Sequence, residues 1–118
     1  MAGGVGEEAE PFIRYGHDLD IVRAGLHERR GSDAQEKFMF DVVAPFIEKN
    51  GVKAIRDLDI TLETMPRSAR YYFPFLLGHL VHNDTQHERL NLLERYSRSE
   101  DQDVRDGAAE ALGYLADS

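Results

Sequence analysis

The sequence predicts an all-α domain, arranged as a short α-solenoid of about three helical hairpins, and two observations support this prediction. Residues 68–82 and 103–117 align at a constant offset of 35 residues, which places identical Arg, Leu-Gly and Leu residues at equivalent positions. A repeat of roughly 20–50 residues is typical of stacked helical units. Apolar residues also recur at helical spacing, and the only alternating stretch, 58–62, is too short to define a strand.

Residues 1–10 are rich in Gly and Glu, a composition typical of a flexible tail. We therefore expect a single helical domain over residues 11–118. Its first helix is predicted over about 11–29, with Pro11 in the first turn and a break near Gly16.

A second helix completes the first hairpin, which spans about 17–49. Ser32 and Gln35 match a capping box, in which both side chains satisfy backbone N–H groups at the start of a helix. The helix is predicted to end before Gly51, a residue type that favours helix termination. Pro45 lies inside it and should kink or split it, because proline has no N–H group to donate.

The second hairpin is predicted over about 52–82. Its first helix, 52–62, carries apolar residues at i, i+3 and i+6 on one face. Its second helix, 67–82, contains Pro74, which removes one backbone hydrogen bond and predicts a bend.

The third hairpin is predicted over about 86–117. It consists of helices at 86–97 and 102–116, and capping-box patterns that begin at Thr85 and Ser99 precede them. The apolar stripes of both helices have the same period as those of the second hairpin, so the two units should pack in the same way.

Residues 99–117 resemble the second helix of a HEAT repeat, in the short bacterial form related to phycobilin-lyase repeats. The likeness rests on the Asp-Val-Arg start at Asp103 and on the Ala-Leu-Gly-x-Leu end. It is strongest over residues 87–117 and degenerate over 52–82, where Tyr-Tyr-Phe at 71–73 replaces the Ala that the family favours. The resemblance implies a HEAT-like α-solenoid that binds proteins.

The resemblance also implies a structural role for Arg70 and Arg105, which occupy equivalent positions. In HEAT-like stacks such residues tie neighbouring units together by pairing with an aspartate. The aspartates expected here are Asp101 and Asp103.

Composition limits the kind of partner. Acidic residues outnumber basic ones by 22 to 14, for a formal net charge of −8. We expect neither nucleic acid nor an anionic membrane as a partner, because binding to either requires clustered Lys and Arg side chains. A basic protein partner is expected instead. The N-terminal stretch lacks the features of a secretory signal and no apolar run is long enough to cross a bilayer, so we expect a cytoplasmic protein.

The sequence offers little for catalysis. It has no Cys, no Gly-x-Ser-x-Gly nucleophile motif and no phosphate-binding Gly-rich loop. We therefore predict no enzymatic activity and no cofactor. His79, His82 and His87 leave one alternative open, since imidazole is a common metal ligand, but they lack the spacing of a hydrolytic zinc motif.

One face of the last two units carries a row of residues at i, i+4 and i+8. The equivalent sets are Asp106, Glu110 and Tyr114 in the last unit and Tyr71, Phe75 and His79 in the unit before it. The second set is largely aromatic, which is typical of interface hot spots. Two interpretations remain open: an exposed partner-binding ridge, or burial of the row against the helix that carries Phe38, Phe40 and Phe46.

The sequence thus predicts a non-enzymatic, acidic protein–protein interaction module, acting as an adaptor or as a stoichiometric inhibitor such as an immunity protein that neutralises a toxin. The predicted contact residues are Tyr71, Phe75, Asp106, Glu110 and Tyr114. The alternative is a cofactor- or metal-handling protein similar to bilin lyases, which would use His79, His82 and His87.

Overall fold

The computed structural model describes the backbone of residues 2–81 and 83–117 and the side chains of residues 14–81 and 84–117. The described chain contains helices but no strand, which confirms the all-α prediction. The helices are α1 (Ala2–His27), α2 (Ser32–Phe38), α3 (Ala44–Asn50), α4 (Val52–Ile60), α5 (Arg67–Leu77), α6 (Gln86–Tyr96) and α7 (Gln102–Asp117). None of these helices is long and apolar enough to span a bilayer.

Helix α1 runs without interruption through Gly16, so the break predicted there is wrong. A Cβ atom at Gly16 would meet no other atom within 4 Å, so this glycine is not required by packing. Leu19, Val22 and Leu26 form the buried face of the helix. The helix also includes residues 2–10, and the mobility predicted for that stretch stays a prediction.

The split predicted at Pro45 is confirmed. A π-helical turn, Met39–Val43, separates α2 from α3, and the N–H of Ala44 donates to the carbonyl of Met39, five residues earlier. Because Pro45 cannot donate, the chain adopts the wider turn here. The turn buries Met39 and Val43 in the core and leaves Phe40 at the surface.

The three predicted capping boxes, at Ser32, Thr85 and Ser99, do not form. Helix α2 has no side-chain cap, and the Thr85 hydroxyl accepts a hydrogen bond from Arg89 Nε (3.0 Å) instead of a helix N–H group. At α7 the capping residue is Asp101, whose Oδ1 accepts from two N–H groups of the first turn. At Thr85 and Ser99 the competing groups are close in sequence: Arg89 lies one turn after Thr85, and Asp101 lies two residues after Ser99.

Helix α5 ends at Leu77, five residues earlier than predicted. The buried guanidinium of Arg89 donates to the Leu77 carbonyl (2.8 Å), so it satisfies a group that the end of the helix leaves open. Burial lowers the pKa of Arg89, and the nearby Asp84 partly offsets this effect. This contact fixes the turn that leads from α5 into α6.

Helices α5 and α7 approach each other unusually closely. A Cβ atom on Gly107 would lie 2.1 Å from the carbonyl oxygen of Tyr71, and one on Gly78 would lie 2.5 Å from Ala111 Cβ. Both positions therefore require glycine for steric reasons. The close approach places side chains of α7 directly beside the C-terminal end of α5.

The helix contacts follow the order of the predicted hairpins. The second helices are in contact in chain order, α2 with α5 and α5 with α7. The first helices are linked by polar contacts: the Tyr15 hydroxyl of α1 donates to Asp57 of α4, and Arg56 of α4 pairs with Glu88 of α6 (3.1 Å). This order agrees with stacked hairpins, while the α-solenoid itself stays a prediction.

Arg70 performs the role predicted for it. It pairs with Asp101 (3.2 Å) and lies 3.9 Å from Asp103, so it joins α5 to the start of α7. Arg105 pairs with no aspartate among the described residues; its Nη1 donates to the backbone carbonyls of Ser99 and Glu100 and holds the turn before α7. Equivalent positions in the repeat therefore stabilise the same junction through different acceptors.

Candidate partner-binding surface

Four rings, from α5, the turn that follows it and α7, form a continuous stack that we call the aromatic row: Tyr71, Phe75, His79 and Tyr114. Tyr71 and Phe75 are separated by 6.0 Å between ring centroids, Phe75 and His79 by 4.3 Å, and His79 and Tyr114 by 4.0 Å. The first three lie one helical turn apart, and the α5–α7 contact brings the fourth to the end of the stack. The sequence spacing predicted the first three as a row.

Both interpretations of the row hold in part. Phe40 covers one side of it, with its ring edge-on to Phe75 (6.2 Å) and His79 (5.9 Å). Phe38 and Phe46 do not contribute, since Phe38 packs on Gly25 and Phe46 stacks on Tyr15.

The opposite side of the row remains open. The Tyr114 side of the stack is exposed, with 52% of the Tyr114 surface in solvent, and Phe40 at the edge is 37% exposed. The row is therefore a half-buried ridge with an accessible end.

The surroundings of the row are acidic. A shallow cavity of about 440 Å³ lies beside it, and its lining residues are Phe75, His79, Ala109, Glu110, Gly113, Tyr114 and Asp117. Two carboxylates and no Lys or Arg thus line this cavity. Burial raises the pKa of the Tyr71 hydroxyl, and the negative charges of Glu110, Asp106 and Glu36 raise it further.

The structure brings the five predicted contact residues to one face. Phe75, Glu110 and Tyr114 line the cavity, Tyr71 extends the row, and Asp106 lies close enough to affect the Tyr71 hydroxyl. The predicted contact set did not include two rings that the structure adds. His79 shares the helical spacing of the row and so had a sequence signal, whereas the position of Phe40 depends on the π-helical turn.

The histidine alternative gains no geometric support. His79 Nδ1 donates to the carbonyl of Phe75 (2.8 Å), and the His79 ring lies between those of Phe75 and Tyr114. His87 Nε2 accepts from the amide of Asn91 (3.2 Å), and His82 lies outside the described residues. Within the described part of the chain, no three His, Asp or Glu side chains are grouped so as to hold a metal ion.

The paired carboxylates of α4 serve the fold. Asp57 accepts from the hydroxyl of Tyr15, and Asp59 accepts from the hydroxyl of Tyr96 and pairs with Arg95. Burial, together with Asp59, raises the pKa of the Tyr96 hydroxyl above its ordinary value. Each carboxylate therefore joins α4 to a different helix, Asp57 to α1 and Asp59 to α6.

A comparison of the chain with protein-family models, with curated proteins and with solved structures gave no match. The HEAT-like resemblance therefore rests on the residues that carry it, and it stays a prediction.

Proposed function

We propose that this protein is a non-enzymatic interaction module that binds a basic segment of another protein at the aromatic row. The observation that carries the proposal is the exposed end of the stack, where Tyr114 lies beside the carboxylates of Glu110 and Asp117.

The arrangement suits a cationic side chain. The face of an aromatic ring attracts Lys or Arg, and a neighbouring carboxylate adds a charge-assisted hydrogen bond. Because the rings of the row already contact one another, little side-chain entropy is lost when a partner binds. The net charge of −8 adds long-range attraction for a basic partner.

A matched pair of variants tests the surface. Tyr114→Ala with Glu110→Gln removes an exposed ring and a carboxylate from the row, while Ile60→Ala with Glu94→Gln removes an exposed apolar side chain and a carboxylate from another face. Each full-length protein is immobilised and exposed to extract of the native host, and bound proteins are quantified. The expected partner is retained by the wild type and the control and lost from the row variant.

Calorimetric titration with the purified partner then gives the size of the effect. We expect the row variant to bind at least about tenfold more weakly, as is typical for loss of a hot-spot aromatic residue. Equal affinity of the row variant and the control variant would exclude this surface.

A more specific part of the proposal is that the protein inhibits its partner and does not act only as an adaptor. A stoichiometric inhibitor, such as an immunity protein, would cover a basic functional site of its partner with the acidic row. Adding the protein to the partner at a 1:1 ratio should then abolish the partner's activity, whereas an adaptor would leave that activity unchanged.

A further inference from the structure

A second cavity, of about 1000 Å³, has the opposite charge to the aromatic row. It lies where the segment after α1 meets the start of α5, and we call it the basic pocket. Its charged and polar lining includes Arg29, Arg30, Arg67, Arg70, Ser68 and Asp103. Three of these arginines have a carboxylate partner: Arg30 pairs with Glu28, Arg67 with Asp103 and Arg70 with Asp101. The fourth, Arg29, leaves an excess positive charge here, which is unexpected in a protein of net charge −8.

Arg29 and Arg67 present guanidinium donors that a ligand in the pocket can reach. Arg29 is exposed and has no ion-pair partner among the described residues. Arg67 is also largely exposed, and its Nε lies 3.0 Å from Asp103 Oδ2. The Nε of Arg70 is buried and has no hydrogen-bond partner within the described chain.

The start of α5 adds backbone donors on the same side. Pro66 precedes the helix and has no polar side chain, so no side chain caps the first-turn N–H groups. The residues of this first turn, Arg67 and Ser68, line the pocket. The field at the N-terminus of a helix favours an anion, in agreement with the arginines.

We propose that the basic pocket binds a phosphate monoester group. A phosphate dianion offers three acceptor oxygens, enough to accept from several guanidinium groups at once, and Arg29 has no carboxylate partner among the described residues. Tyr71 lines both sites, but the proposal does not depend on the function of the aromatic row, because the groups that would donate to the phosphate belong to other side chains.

Asp103 acts as an internal competitor for this anion. Its Oδ2 contacts Arg67 and approaches Arg70, so a phosphate group has to share or displace these contacts. Replacement by Asn keeps the size of the side chain and removes the negative charge. Asp103→Asn should therefore bind phosphate more tightly than the wild type.

The test is an NMR titration of the full-length protein with inorganic phosphate at constant ionic strength. Saturable shifts are expected in the amides of Arg67 and Ser68. Arg29→Ala should weaken binding by roughly tenfold, the usual effect of losing one charge-assisted hydrogen bond. The control is Arg98→Ala, which removes an exposed arginine paired with Glu94 outside the pocket and should leave binding unchanged.

Further probes identify the source of the phosphate and separate the two proposals. A phosphoserine peptide and adenosine monophosphate distinguish a phosphorylated protein from a small phosphate ester. Tyr114→Ala should bind phosphate as the wild type does. The proposal is overturned if no saturable shift occurs at the start of α5, if Arg98→Ala weakens binding as much as Arg29→Ala, or if a single-stranded oligonucleotide without terminal phosphate binds more tightly than the monoesters.

Discussion

The two ends of α5 face different solvent environments. Arg67 and Arg70 at its N-terminal end line the basic pocket, whereas Phe75, near its C-terminal end, and His79, just beyond it, belong to the aromatic row beside the carboxylates of α7. The macrodipole of the helix has the same polarity, since N-terminal N–H groups favour anions and C-terminal carbonyls favour cations. The backbone and the side chains therefore favour the same charge at each end of α5: an anion at the N-terminal end and a cation at the C-terminal end.

The two regions also differ in whether their charged side chains already have ion-pair partners within the protein. Glu110 and Asp117 beside the row form no ion pair with another described residue. In the basic pocket, Arg67 and Arg70 already have a carboxylate, Asp103, within 4 Å. A cation at the row would meet unpaired carboxylates, but an anion in the pocket must compete. We therefore expect tighter binding at the row than in the pocket.

Both regions depend on the contact between α5 and α7, so the largest expected effect comes from Gly107→Ala. The new methyl group would lie 2.1 Å from the Tyr71 carbonyl oxygen, a backbone atom that cannot move aside easily. We expect a loss of about 3 kcal/mol in the free energy of unfolding, the upper range for overpacking. Urea unfolding followed by circular dichroism measures it.

Gly113→Ala is the matched control on the same helix. A Cβ atom there meets nothing within 4 Å, and the position is exposed. Alanine should raise the free energy of unfolding by about 0.5 kcal/mol, because it restricts the unfolded chain more than glycine does. Similar losses for the two variants would show that close packing at Gly107 is not what joins the two regions.

Within the row, Phe75 should contribute more than Tyr114 to the free energy of unfolding. Phe75 contacts four rings, Phe40, Tyr71, Tyr72 and His79, so Phe75→Ala should lower the free energy of unfolding by about 2 kcal/mol. Tyr114 is half exposed and stacks on His79 alone, so Tyr114→Ala should cost about 1 kcal/mol. Thermal unfolding of both variants checks the order, and a reversed order would make Tyr114 a structural residue.

The sequence was sufficient for those features that depend on local spacing. The bounds of α4, α6 and α7 agree with the apolar periodicity to within two residues, because one face of each helix packs on the core. The interruption before Pro45 follows from the missing N–H group. The first three rings of the row follow from the 3.6-residue helical period.

The remaining features depend on residues that are distant along the chain. Helix α5 ends at Leu77 because Arg89, twelve residues later, satisfies its carbonyl. The basic pocket combines Arg29 with Arg67, which belong to different predicted hairpins. No periodicity within a single helix indicates such contacts, so neither the end of α5 nor the pocket was predicted.

A smaller effect is expected at Tyr96, away from both regions. Tyr96→Phe removes its hydrogen bond to Asp59 and should cost about 1 kcal/mol near pH 7. In the wild type the fold raises the pKa of this hydroxyl above 10, so above that pH the unfolded state releases a proton that the folded state retains. Stability should therefore fall as pH rises above about 10.

Urea unfolding between pH 7 and pH 11 tests this linkage. The Phe variant has no hydroxyl to ionise, so its stability should decline less steeply than that of the wild type at alkaline pH. Parallel curves for the two proteins would show that Tyr96 does not contribute to the alkaline transition.

The smallest effect on stability is expected from Arg67→Ala, although it should strongly affect the pocket. The Arg67 side chain is 82% exposed and its ion pair with Asp103 is in contact with solvent. Screening by solvent therefore leaves the pair only a small contribution to the free energy of unfolding. The urea midpoint should not change measurably, while phosphate affinity falls by roughly tenfold as for Arg29→Ala. A clear drop in the midpoint would instead mean that the ion pair of Arg67 with Asp103 is needed to hold α5 to α7, and the pocket would then be a structural contact and not a site for which a ligand can compete.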